Sequence, residues 1–439
     1  MLILNKILWG ITTTMIIMGG FYFSIRLKFI QFRIKDMLSS LISSNSNQED
    51  TISPWESLSM SLAARIGVGS LAGVALAIYV GGVGTIFWLW MSALIAAPNT
   101  FSETVLGVVY RRRDAKKIYR GGPPYYIESG LGKPRLAKLA AFIIGFSYIV
   151  CFLTIQANTI TKSLVRVVNI YPLIIGFVIA FLTGIIIFKG VKQIAVTSSK
   201  LVPLMGFIYT LTVLSIVIIN INKIPAVLVN IIISAFNIKA FGAGVITSLV
   251  IGMQRGIFSN ESGLGTSAIA AATTTVNQPV SIGLIQMAGV YFTTLIICSA
   301  TAIAILTSNY DALALTDVNG IEITLYAFKY HLSYLGEIIV IVTILLFAFS
   351  TIITGYYYGE SCLKFLYNNI SNVSLFCFRL LTVILLLLGS CISSSFLWQI
   401  VDILVAIMAI INLYALLELR RVVTLELEIS KSKQKCAKI

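Results

Sequence analysis

One histidine in 439 residues, charged residues at only 11% and six cysteines without a C-x-x-C pair leave this chain poor in the groups that most enzymes and metal proteins use. His331, the lone histidine, falls in a polar connection, which leaves no basis for a histidine proton relay. No H-E-x-x-H or G-x-S-x-G occurs, so zinc-peptidase and serine-hydrolase chemistry have no anchor. Cys151, Cys298, Cys362, Cys377, Cys391 and Cys436 lie mostly inside apolar runs, which argues against a disulfide framework and against a metal site. The scarcity of charge also places the chain outside the soluble globular range.

What remains is apolar. Hydrophobic residues make up 58% of the sequence, and a mean hydropathy of +0.94 identifies an all-α, multi-pass integral membrane protein with the bilayer as its solvent. About eleven runs are long enough to span: 7–25, 57–80, 83–110, 137–165, 171–188, 193–220, 243–274, 280–307, 334–366, 374–392 and 396–419. The first is followed by Arg26, Lys28, Arg33 and Lys35 instead of a small-residue cleavage site, so it reads as a retained helix. Threading the runs alternately puts 23 of the 32 Lys/Arg on one side and six on the other, with Arg65, Arg255 and Arg379 inside runs. That asymmetry predicts a cytoplasmic C-terminus and an external N-terminus in a bacterial-type plasma (inner) membrane. The net charge of +15 is then a topology signal, "RRRDAKK" (111–117) included, and no nucleic-acid partner is called for.

Two runs are defective as helices. "AARIGVGSLAGVA" (63–75) and "GMQRGIFSNESGLG" (252–265) set glycines and charges where a membrane anchor needs leucines. They lie five runs apart, which divides the chain into an extra helix with its linker (1–56), a five-helix unit (57–220), an external connector (221–242), a second five-helix unit (243–419) and a basic tail (420–439). Five is odd, so the second unit enters the membrane inverted, and paired breaks in inverted repeats point to a transporter with a midplane site. Backbone groups freed at a break must face protein or a watery cavity. The N-terminus of the second half-helix offers N–H groups to a carboxylate, and the C-terminus of the first offers carbonyls to a cation. Arg65, Glu103, Arg255 and Glu261 at this depth read as shaping or gating groups, with an Arg255–Glu261 pair as one way to hold the second break.

"RIGVGSLAGVALAI" (65–78), "GGVGTIFWLWMSALI" (81–95), "YRGGPPYYIESGLG" (119–132), "QRGIFSNESGLGTS" (254–267) and "FAFSTIITGYYYGE" (347–360) resemble the alanine/glycine:cation symporter family. The likeness is colinear and covers nearly everything after the first helix. It implies the leucine-transporter fold, no cofactor, Na⁺ as coupling ion, and uptake of a small neutral amino acid by a carrier able to work as a monomer. By the same resemblance Val68, Gly69, Ser70, Gln156, Phe258, Asn260, Thr351 and Ile353 surround the substrate. Ala63, Ile66, Ser350 and Thr351 face sodium.

Several positions depart from that pattern. Ser70 replaces an asparagine, Val68 a hydroxyl residue, Val83 a proline, Thr293 an aspartate and Ile269 an asparagine, while 354–355 reads Thr-Gly where glycine and a tryptophan or asparagine are usual. An uncoupled or proton-coupled carrier, or a divergent member with altered substrate, therefore stays open as an alternative. Outside the runs, 36–53 reads as a Ser/Asn-rich linker, 119–132 as a turn into an interfacial helix with a tyrosine anchor, 308–332 as an external loop and 420–439 as a loosely ordered tail.

Overall fold

The computed structural model describes residues 2–43, 52–114, 117–236, 244–310, 320–367, 370–392 and 394–436, and these are almost wholly helical. Helix α1 (Leu2–Arg26) is followed by the short α2 (Ile34–Ser43). The first broken helix is α3 (Pro54–Arg65) and α4 (Val74–Gly81), joined by a wide turn at Gly69–Gly73 and bent by 49°. Ser53 and Glu56 start it with a reciprocal cap, in which each side chain accepts from the other's backbone N–H (3.2 and 2.8 Å). Such a cap contributes about 1 kcal/mol.

After α5 (Thr85–Val109) comes a two-stranded hairpin, Arg112–Arg113 against Tyr119–Arg120, and then α6 (Pro123–Leu131), α7 (Pro134–Phe146), α8 (Leu153–Val165), α9 (Pro172–Ile187), α10 (Val191–Ile219) and α11 (Ile224–Phe236). The second broken helix is α12 (Val245–Asn260) with α13 (Thr266–Ala271), followed by α14 (Pro279–Tyr291) and α15 (Ser299–Leu306). The run α16 (Gly320–Leu366) is bent at Leu332 and Ser333, and α17 (Asn372–Gly389), α18 (Ser394–Glu418) and α19 (Arg420–Cys436) complete the chain. Seven of these stretches are long and apolar enough to cross a membrane, and the bent α3–α4 pair makes eight. Wide π turns at Gly69–Gly73, Ser147–Phe152 and Phe292–Cys298 fall next to the breaks, where such turns commonly mark function.

The broken helices cross at the centre. Helix α5 packs against α12 and α14, α16 against α7, α8, α10 and α3, and α1 against α18 and α5. Trp9 on α1 donates its indole N–H to the Asp402 carbonyl (3.0 Å), a tie between residues 393 positions apart.

The connections hold more helix than their composition suggests. Residues 34–43 are a helix, because Met37 and Leu41 dock inward despite the surrounding serines; residues 44–51 of the expected linker lie outside the described residues. The connector contains α11, held to α5 by Trp88 donating to the Ala235 carbonyl (3.3 Å). The stretch 308–332, read from the sequence as a loop, is helical from Gly320, with Ile321, Leu325 and Phe328 buried, while Asp311 and Asp317 fall outside the described residues. The tail forms α19, which buries Val423 and Leu427 one helical turn apart. Helix α6 exists, but Tyr125 and Tyr126 are buried instead of anchoring at an interface: Tyr126 donates to Asn412 and Tyr125 meets Phe365 edge-on at 5.0 Å.

On the basic face the hairpin is locked to α16. Arg120, fully buried, bridges Asp114 (2.8 Å) and Glu360 (3.0 Å), Lys364 adds contacts to both (3.6 and 3.0 Å), and Tyr356 donates to Glu360 (2.8 Å). Burial pushes the Asp114 carboxyl up, but the Arg120 hydrogen bond and charge, the Ile118 N–H and Lys364 outweigh it and hold it below its usual range. Its depressed value means that its contribution is complete above about pH 4 and is lost as pH falls below that. We expect Arg120→Ala to leave Asp114 and Glu360 to share Lys364, with Tyr356 still donating to Glu360, and to lower stability by about 3 kcal/mol in thermal unfolding. Asp114→Asn should remove part of the acid sensitivity below about pH 4 and leave neutral-pH behaviour less affected than Arg120→Ala does.

Candidate functional site

The first break opens where α3 ends. Ile66 leaves helical geometry (φ −86°, ψ 67°) after its N–H reaches the Leu62 carbonyl, and Ser70 N–H turns back to the Gly67 carbonyl (3.1 Å). Gly67 sits in the crossing. A Cβ there would lie 2.5 Å from Thr351 Oγ1 and 3.2 Å from both amide atoms of Gln156, so only glycine lets α8 and α16 approach this closely. Gln156 Oε1 accepts from the Val68 N–H (3.1 Å). On the other side Thr351 and Ser350 donate to the Ala63 carbonyl (2.8 and 3.4 Å), and both hydroxyls also reach the Phe347 carbonyl (2.9 Å each).

Each hydroxyl carries one proton, so leaving it on Phe347 O frees a hydroxyl lone pair to face a cation together with the Ala63 carbonyl. Neutral oxygens of this kind suit a hard monovalent ion. Among the described residues no group of three or more His, Cys, Asp or Glu could hold a transition metal. Of the expected sodium set, Ala63, Ser350 and Thr351 are brought together by hydrogen bonds, while Ile66 is buried in the turn with its N–H on the Leu62 carbonyl.

Of the expected substrate set, Val68, Gln156, Gly69 and Phe258 converge, since a Cβ on Gly69 would come within 2.7 Å of the Phe258 ring. Ser70 points toward the second broken helix and shares a hydrogen bond with Ser259 (2.9 Å), which in turn contacts Cys298 Sγ (3.1 Å). Asn260 turns away from the first break. Its amide donates to Ser92 and Thr294 (3.2 Å each) and its carbonyl accepts the Ser262 N–H (3.0 Å), which spends its capacity on holding the second break. Ile353 is buried two residues past Thr351, about 200° further round the helix, and so on a different face.

The second break is shaped otherwise. Glu261, Gly263 and Gly265 all have positive φ (55°, 81° and 84°), a path that favours glycine at the latter two positions. Its polar groups are met by protein: Glu103 Oε2 accepts from the Gly265 N–H and from Asn412 (2.9 Å each), and Asn412 also donates to the Gly263 carbonyl (2.9 Å). Glu261 accepts from Tyr148 (2.5 Å) and Thr266 (2.8 Å). Arg65, 1% exposed, donates to the Gln286 carbonyl (2.9 Å) and Ser267 (2.5 Å).

Arg255 does not pair with Glu261. It makes a two-pronged bond to Asp402 (3.0 and 2.6 Å) and lies over the Trp398 ring at 5.0 Å. Trp398 covers Phe258 (centroids 4.9 Å), Phe258 stacks on Phe152 (5.2 Å, 9°), and Phe152 stacks on Tyr148 (4.5 Å, 11°). Above Arg255 and Trp398 a vestibule of about 620 Å³ opens, lined by residues such as Lys6, Asn158, Gln254 and Gln399. Asp402, Trp398, Tyr148 and Ser259 are neighbours of the candidate site that sequence reasoning did not name, whereas Gly67 already stood in the glycine-rich interruption at 63–75. Only Asp402 carried a signal, as an acid inside an apolar run.

Residues 1–438 match the sodium:alanine symporter family. A sodium/alanine symporter of Methanococcus maripaludis is 34% identical over 434 residues, covering 96% of this chain and 94% of the relative. A probable sodium/glutamine symporter of Bacillus subtilis is 36% identical over 425 residues, covering 96% and 88%. A sodium-coupled sialic acid symporter, solved substrate-bound and outward-open, superposes with a TM-score of 0.58 over 92% of this chain and 84% of that one at 14% identity, a likeness of fold alone. The chain belongs to the sodium:alanine symporter family and is a membrane transporter, not an enzyme.

Proposed function

We propose that this protein couples entry of Na⁺ to uptake of a small neutral amino acid of the alanine/glycine class by alternating access. The observation that carries this reading is the crossing at Gly67. A donor for a carboxylate, the Val68 N–H with Gln156, and a neutral-oxygen cradle for a cation, Ala63 O with Ser350 and Thr351, flank one residue without a side chain.

Binding proceeds by exchange. The amino acid's carboxylate replaces Gln156 Oε1 on the Val68 N–H, and the released amide turns its NH₂ to the carboxylate. Sodium takes the Ala63 carbonyl and the two hydroxyl oxygens. Phe258 with Phe152 walls off the small side chain, which disfavours larger ones by displacement of a stacked pair. The second half-helix end competes poorly for the carboxylate because Glu103 already accepts there. Arg255, Asp402 and Trp398 form the thin closure beneath the vestibule, and the Arg120–Glu360 lock is the thick closure on the basic face.

In this reading the chain crosses the plasma membrane eleven times, as one helix plus two inverted five-helix units, with the basic face cytoplasmic and the N-terminus outside. A single copy contains every group that the cycle uses. The relatives named for alanine and for glutamine bracket the substrate choice, and the walled side-chain space favours the smaller.

Proteoliposomes with an inward Na⁺ gradient should accumulate alanine against its own gradient, with glycine competing better than glutamine; equilibration without Na⁺ would make the protein an uncoupled carrier. Thr351→Val should raise the Na⁺ concentration for half-maximal uptake by roughly tenfold or more, the loss of about one ligand hydrogen-bonding group, at unchanged protein level. Gln156→Ala should raise the substrate KM by roughly tenfold, and Gly67→Ala should abolish uptake while the protein still inserts.

A further inference from the structure

The bend in α16 is held by the one histidine of the chain. Leu332 (φ −124°, ψ 17°) and Ser333 (φ 52°, ψ −145°) leave helical geometry, and a serine at such a positive φ persists only where its surroundings fix it. Just beyond, the chain folds so closely on itself that a Cβ at Gly336 would lie 2.3 Å from the Phe328 carbonyl. His331 stands immediately before this kink, half-buried, far along α16 from Glu360. Its ring joins three helix ends. Nδ1 lies 3.1 Å from Asn220 Nδ2, at the end of α10, and Nε2 lies 3.0 Å from the Ala304 carbonyl and 3.1 Å from Thr307 Oγ1, at the end of α15.

These partners fix the proton. A carbonyl only accepts, so Nε2 carries the hydrogen that meets Ala304, and Thr307, whose own proton goes to the Ile303 carbonyl (2.7 Å), offers that hydrogen a lone pair. Asn220 donates an amide N–H to the Ile216 carbonyl (2.9 Å), which orients its NH₂ and not its oxygen toward Nδ1. Nδ1 therefore accepts, and every bond of the junction uses a neutral ring. A second proton, on Nδ1, would point one donor at another. The charged groups around it offer no relief among the described residues. Lys223, after α10, donates to the Thr307 carbonyl (3.4 Å) and brings like charge; α15 has no titratable side chain. On α16 itself are Lys329, Tyr330 with its ring edge-on at 5.1 Å, Glu322 more than two turns back, and Glu337 beyond the bend, engaged by Lys329 (2.7 Å) and Arg166 (4.0 Å). The ring precedes the apolar run that begins at 334, and burial together with Lys223 outweighs the Ala304 carbonyl and holds its ionisation below the usual histidine range.

The junction reaches the first break through α15. One turn below Ala304, Thr301 donates to the Ser70 carbonyl (2.8 Å) and shares a hydrogen bond with Tyr209 of α10 (2.6 Å). We propose that His331 is a pH-sensitive clamp: neutral, it fastens the ends of α10 and α15 to the bend of α16, and protonated it releases α15 and with it the support that Thr301 gives the first break. The clamp passes no proton to the site and is independent of which solute crosses. Because the unfolded chain takes the second proton more readily than the folded one, stability falls as pH drops through the ordinary histidine range.

With a single histidine in the chain, nitrogen NMR of the full-length protein labelled at its histidine ring reads His331 alone. The ring should be the Nε2–H tautomer at neutral pH and should ionise below about 6.5, the ordinary histidine value. Asn220→Asp sets a carboxylate against Nδ1 and should raise that ionisation. An Nδ1–H tautomer, ionisation at or above the ordinary value, or no rise in Asn220→Asp would overturn the clamp. Thermal unfolding gives a second readout: between about pH 7.5 and about pH 5.5 wild type should lose melting temperature, and His331→Gln, whose amide can donate to Ala304 and accept from Asn220 at either pH, should lose less. Neither measurement needs a transported solute, so both stand whatever the carrier moves. In uptake with equal pH on both faces, the same acid step should raise the substrate KM of wild type by roughly fivefold, the loss of about one hydrogen bond, and that of His331→Gln much less. An equal acid response in the two proteins, or a wild-type KM that ignores the ionisation, would refute the release of α15.

Discussion

Backbone hydrogen-bonding groups released inside an apolar surrounding have to be met by something, and the whole centre of this protein is arranged around that requirement. Where α3 gives way to α4, the freed groups are met by side chains that can let go: Gln156 on the Val68 N–H, Ser350 and Thr351 on the Ala63 carbonyl. Where α12 gives way to α13, they are met by groups that cannot easily leave, because Glu103, Asn412 and Asn260 are themselves held by several partners. One break is exchangeable and the other is fixed. That asymmetry sets apart two interruptions that look alike in the sequence.

The buried charges follow the same logic. Arg65 ties the first broken helix to α13 and α14 by two hydrogen bonds, and Ser57 adds a third link to the Ala270 carbonyl (2.9 Å). An unpaired guanidinium at this depth would cost several kcal/mol, so these ties hold the crossing of the two helices as firmly as any apolar contact. Arg255 and Arg120 face opposite ends and are satisfied by carboxylates on α18 and α16. The two ion pairs thus join separate elements, α12 to α18 and the hairpin to α16.

The helical, membrane-spanning character was legible because it depends on composition over long windows of apolar residues. Ser350 and Thr351 could be singled out because they sit in a long family motif, and the structure sets both on the Ala63 carbonyl. What stayed hidden depends on partners far apart in the chain. Glu103 reads as a lone acid until Gly265 and Asn412 are placed beside it, and Asn260 reads as a substrate contact until Ser92 and Thr294 take its amide. The helical stretches at 34–43 and 420–436 were masked by serines and by mixed charge, since their buried residues recur only every fourth position. The π turns left no mark, because an extra residue in a helical turn changes no composition.

The pairing of α1 with α18 has a consequence for how the protein is made. Trp9 and its hydrogen-bond partner Asp402 are separated by 393 residues, so at ordinary rates of translation the first helix waits roughly 20–80 s in the membrane before its main neighbour has been synthesised. During that interval its Trp9 face is covered by lipid or by an insertion factor instead of by α18. Assembly of this carrier therefore closes late, when the first helix accepts α18.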